Sequence, residues 1–69
     1  MHIFVIYHGT SEWGDLYVAR AWRVTEHGAF PGAAGTSKTL EGARALVPDG
    51  YVRTERHEND DPTIVEVWI

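Results

Sequence analysis

The chain opens on an unbroken apolar run, Ile3-Phe4-Val5-Ile6-Tyr7, in which every residue is β-branched or aromatic. Such a run predicts a strand covered on both faces. Turn formers follow from Gly9 to Asp15 and predict a loop. From Leu16 to Thr25, Tyr17, Val18, Trp22, Val24 and Thr25 favour a second strand, paired with the first as a hairpin. Ala19, Arg20 and Ala21 would tolerate a helix, but no apolar stripe at helical spacing supports one.

The next segment, Glu26 to Gly35, carries Gly28, Gly32, Gly35 and Pro31, and predicts a loop. Thr36, Ser37 and Thr39 are all suitable helix N-caps. Leu40, Ala43, Leu46 and Val47 then fall on one helical face, which predicts a helix of about ten residues closed by Pro48. Glu41 suits the first turn of that helix. Gly42 weakens it by ~1 kcal/mol relative to Ala. Asp49-Gly50 turns the chain into a third strand, Tyr51 to His57, whose charges suit a sheet edge. Glu58 to Pro62 is a turn. In the last strand, Thr63 to Ile69, Val65, Val67 and Ile69 alternate with Ile64, Glu66 and Trp68. Glu66 marks the second set as the wetter face.

These elements predict a single α+β domain over residues 1–69, ββαββ, with one helix on one face of a four-stranded sheet. The first and last strands are the most apolar and belong at the centre. With the hairpins outside them, the order is 2-1-4-3 with a parallel central pair, the layout of the β-grasp fold. A plain antiparallel meander with one helix is the alternative. The helix is expected on the Val65, Val67 and Ile69 face. The other face then carries Ile64 and Trp68 with either Phe4 and Ile6 or Ile3, Val5 and Tyr7. That is too apolar for a free surface. Phe4, Ile6, Ile64 and Trp68 are therefore the candidate protein interface, and a homodimer, packed sheet to sheet or edge to edge, is the expected partner arrangement.

Composition narrows the function classes. A chain of 69 residues buries only about 60% of its unfolded surface, so a partner subunit would help it. With no cysteine, disulfides and thiol catalysis are excluded, and a reducing cytoplasm fits. Ten Asp and Glu against six Lys and Arg argue against a nucleic-acid partner. No apolar run is long enough for a membrane helix, and Met1-His2-Ile3 does not open a secretion signal.

The residues with chemical potential lack the spacing that chemistry requires. Gly28, Gly32 and Gly35 precede Thr36-Ser37-Lys38-Thr39, an arrangement with some anion-binding character. Thr36 and Ser37 separate the last glycine from Lys38, however, so the phosphate-loop pattern fails. His57, Glu58, Asp60 and Asp61 are close neighbours without the calcium-loop spacing. His2 and His8 lie about 20 Å apart along one strand, too far to share a metal. Glu55 and His57 share a strand face, but no pocket is implied around them. No catalytic, cofactor or metal residue is expected. The aromatic surplus is more informative. Tyr7, Trp13, Tyr17, Trp22, Tyr51 and Trp68 exceed what a small core holds, and with Arg20, Arg23, Arg53 and Arg56 they are interface-anchor chemistry.

Two stretches carry family resemblances. Gly35-Thr36-Ser37-Lys38-Thr39-Leu40-Glu41-Gly42-Ala43, with Tyr17-Val18-Ala19, resembles the helix start and strand of HicB-type antitoxins. Gly42 stands where that family has a second Glu, and its Pro-Gly-Cys stretch is missing. The resemblance implies a small partner-binding regulator. Asp60 to Ile69 resembles the endings of short uncharacterised bacterial proteins and supplies no site residues. The leading expectation is a non-catalytic, self-associating interaction domain. The alternatives are an antitoxin-like or phage-derived inhibitor, and an anion or small-molecule binder using Gly28 to Thr39.

Overall fold

The computed structural model describes residues 1–54 and 61–69. They form an α+β fold: strands β1 (His2–Thr10), β2 (Gly14–Thr25) and β3 (Gly28–Ser37), helix α1 (Leu40–Ala45), then β4 (Arg53–Thr54) and β5 (Ile64–Trp68). All pairings are antiparallel, and the sheet order is β3-β2-β1-β5-β4.

The main departure from expectation is the glycine-rich segment, which is a ten-residue strand and not a loop. Gly28, at φ 127°, closes the Glu26-His27 turn and lets the chain reverse. Apart from Phe30 and Pro31 the residues beyond it are small, and most are exposed, as suits an outer strand. Pro31 is tolerated there because an outer strand pairs on one side alone. The ladder slips between Arg20 and Trp22, where β3 carries one extra residue.

This fifth strand corrects the predicted topology. The first and last strands are neighbours at the centre, as the apolar runs require, but β3 adds one reversal before the helix. β5 consequently runs against β1, pairing Phe4 with Trp68 and Ile6 with Glu66. The β-grasp layout fails for that reason. The meander fails because β1 lies between β2 and β5. β2, expected at an edge, is internal.

The helix is also shorter than predicted, six residues in place of about ten. Thr39 caps it, its Oγ1 accepting from the Gly42 amide at 3.0 Å. At the other end the Leu46 and Val47 amides donate to the Ala43 and Arg44 carbonyls, each at 3.1 Å. This tightened turn ends the helix ahead of Pro48. Gly42 has a packing reason that the sequence hid. A Cβ there would run into the side chain of Ser37, whose Oγ accepts from the Thr39 amide.

The core lies between helix and sheet. Ile6, Ala19 and Ala43 are buried together, with Tyr17, Leu40, Val47, Val65 and Trp68 packed around them. The predicted helix-covered face is thus corrected. The β1–β5 ladder slips between Ile6 and Tyr7, placing Val65 at a bulge. Strict alternation breaks there, so Val65 and Trp68 share the helix side while Ile64 and Val67 pair with Tyr7 and Val5 on the other. The predicted third strand is described only as β4, joined to β5 by its ladder and by mutual Val52–Ile69 backbone bonds of 2.9 Å. Glu55, Arg56, His57, Glu58 and Asp60 lie outside the described residues, and with them the expected acidic turn and the Glu55–His57 pair.

Candidate functional site

On the helix side, β5 carries Glu66 into the protein, where only 6% of it is exposed. Three side chains converge on its carboxylate. Arg44 Nε donates at 3.0 and 3.1 Å, and a second Arg44 nitrogen also donates. Arg53 Nη1 and Trp68 Nε1 each donate at 3.2 Å. Hydrogen bonding from Arg44, with help from Arg53 and Trp68, holds the Glu66 carboxyl below the usual range despite its burial. The carboxylate is therefore ionised and fully engaged, and it ties helix, β4 and β5 together. Every acceptor direction that faces a donor is used, so this cluster is a structural clamp.

The opposite face is built differently. Alternation along β1 and β2 brings out Val5, Tyr7, Val18, Arg20 and Trp22. Val5 and Val18 are only 6% and 2% exposed although no helix covers them. Larger neighbours shield them instead. Trp22 Nε1 donates to Tyr7 Oη at 3.0 Å, spanning the strand position that Val5 and Arg20 occupy. The β1–β2 turn returns Trp13 to the sheet, with the Trp13 amide donating to Thr10 Oγ1 at 3.1 Å. Trp13, Trp22 and Tyr7 surround a cavity of about 230 Å³ that Val18, Arg20 and Glu12 also line.

Electrostatics in this cavity are unbalanced. Burial pushes the Tyr7 hydroxyl up, and the Asp61 carboxylate adds to that, against the opposing effects of Trp22 and Arg20. The phenol is thus neutral. It accepts from Trp22 and keeps its own hydrogen for donation. Among the described residues Arg20 has no ion pair or hydrogen-bonded side-chain partner. A second hollow of about 400 Å³ lies at the β2–β3 end of the sheet. Its cation, Arg23, already rests over the Phe30 ring at 5.4 Å.

The expected interface residues are divided by this arrangement. Ile6 is fully buried beneath Ala43. Phe4 lies edge-on to Tyr51, with centroids 4.9 Å apart. Trp68 packs against the core and donates to Glu66. These residues occupy the helix side, while Ile64, opposite Tyr7, belongs to the other face. The four do not form one open patch. The Gly28–Thr39 segment offers no glycine cradle either, since Gly28 to Ser37 is extended along β2.

No group of three or more His, Asp or Glu side chains that could hold a metal forms among the described residues. His8 instead stacks on Tyr17 at 4.1 Å. No described helix is long and apolar enough to cross a membrane. No known protein family, curated protein or solved structure matches the chain.

Proposed function

We propose that this chain is a non-catalytic protein-interaction domain that self-associates by pairing β3 with β3 of a second copy. The observation that carries this reading is the character of that outer strand. It is ten residues long, nearly all exposed, and contains no charged side chain. An outer strand presents unpaired backbone donors and acceptors, and proteins usually guard such edges with lysine, proline or short length. β4, the opposite edge, has two described residues. β3 has Pro31 and one bulge at Gly32 and Ala33, and only small residues from Gly32 to Ser37. Strand addition draws its affinity from main-chain bonds and needs little from side chains.

A strand-to-strand contact is at the small end of interface sizes, so association is weak and concentration-dependent. A cytoplasmic setting suits a chain without cysteine.

Light scattering across the micromolar to millimolar range tests this. The expected result is a rising dimer fraction, abolished by Ala34→Lys, which charges the exposed strand. The variant should keep its circular dichroism and thermal unfolding at the lowest concentration. A wild-type chain that stays monomeric throughout, or a variant that dimerises as well as wild type, overturns the proposal.

A further inference from the structure

We propose that the cavity between Trp13, Trp22 and Tyr7 binds a small flat monocarboxylic acid, with the ring stacked on the indoles and the carboxylate on Arg20. Position makes this independent of the β3 edge, because the cavity is set by β1, β2 and their connecting turn.

Size comes first. A volume of about 230 Å³ is below the roughly 300–1,000 Å³ of pockets for drug-sized ligands, so the occupant has one or two rings. Shape follows from the walls. Two indoles and a phenol line the cavity together with Val18, and aromatic walls favour offset stacking with another ring. An aliphatic chain would leave that geometry unused.

Charge then selects the sign. Aromatic walls with nearby carboxylates also suit a quaternary ammonium; Glu12 lines this cavity, and the Asp61 carboxylate, exposed and already accepting from Thr63, acts on Tyr7. Glu12 is exposed on the turn, however, whereas Arg20 is half-buried in the middle of β2. A cation drawn between the rings would meet the guanidinium in the more shielded position, where repulsion is less screened. A carboxylate there gains a planar, two-pronged donor whose geometry it matches. The neutral Tyr7 hydroxyl offers one more hydrogen, since its oxygen accepts from Trp22. Glu12 at the mouth disfavours a second negative charge, which is why a monoacid is the class.

The site is partly organised before any ligand arrives. The Trp22–Tyr7 bond fixes two walls, and the Thr10–Trp13 bond holds the turn that bears the third. Fixing the walls in advance lowers the ordering cost of binding.

Titration with benzoate, followed through the indole N–H signals of Trp13 and Trp22, tests the assignment. Saturable shifts of both indoles are expected, with Arg20→Gln binding about tenfold or more weakly while its thermal unfolding is little changed. Trp22→Phe, which keeps a ring but loses the bond to Tyr7, should also weaken binding. Tetramethylammonium is the opposing probe. Three results overturn the proposal: no indole shift at the highest soluble benzoate, equal benzoate affinity in Arg20→Gln, or saturable tetramethylammonium binding with benzoate silent.

Discussion

Glu66 shows how one side chain can be read correctly for polarity and wrongly for place. Its presence among Ile64 and Trp68 suggests a wet face, yet it is buried, because Arg44, Arg53 and Trp68 satisfy it. The partners come from α1, β4 and β5, and no local pattern announces that they will meet. Glu66→Gln should cost about 1–3 kcal/mol, towards the lower end because both guanidiniums reach solvent. The same residue predicts an acid response. A carboxyl whose folded pKa is depressed contributes stability that is present above its unfolded pKa. That stability is lost as pH falls through the folded value. Thermal unfolding of the wild type should thus weaken below the ordinary carboxylate range, and the Glu66→Gln variant should show a shallower loss.

Gly42 makes a second residue-scale point. By propensity, alanine there should gain ~1 kcal/mol. The side chain of Ser37 reverses the sign, because it fills the space that the alanine methyl would need. Ser37 must rotate away and give up the Thr39 amide. Gly42→Ala should therefore lower the melting temperature, by an overpacking cost of about 1–3 kcal/mol. An unchanged or raised melting temperature would show that the cap region yields freely.

At the scale of elements, long patterned runs are legible in the sequence, and short or small-residue elements are not. β1, β2 and β5 follow from β-branched and aromatic runs. β3 does not, because glycine and proline are turn signals in isolation and acceptable edge residues once a partner strand exists. Its pairing with β2 decides the matter, and that is a tertiary effect. The helix is legible in its start and its core-facing Leu40, Ala43 and Val47, while its length is set by the tightened turn before Pro48. Ala43 is the tightest point between helix and sheet, fully buried against Ile6 and Ala19. Ala43→Leu should destabilise by about 1–3 kcal/mol in chemical denaturation, since the helix cannot lift without disturbing the Glu66 clamp.

For the whole molecule, the small core sets the terms. Only Val5, Ile6, Val18, Ala19 and Ala43 are buried apolar residues among those described. If β3 pairs with a second copy, the melting temperature should rise with protein concentration in the wild type and stay flat in Ala34→Lys. Half of the aromatic surplus visible in the sequence, Tyr7, Trp13 and Trp22, lies partly exposed on the side away from Phe4 and Ile6, while Tyr17, Tyr51 and Trp68 pack on the helix side. The parity of side chains along β5 is what the sequence conceals. A bulge at Val65 shifts that parity, and nothing in Ile64-Val65-Glu66 marks it.

The reversal contributed by β3 makes this thinly packed edge harder to dispense with than its burial implies. Shorten the chain by that one strand, and the helix would deliver the C-terminal segment pointing the other way. β5 would then have to swap its antiparallel ladder with β1 for a parallel one, and Glu66 would no longer meet Arg44 in the same register. Natural variation in this fold should accordingly lengthen or restyle the Glu26-His27 turn while leaving the number of strands before the helix odd.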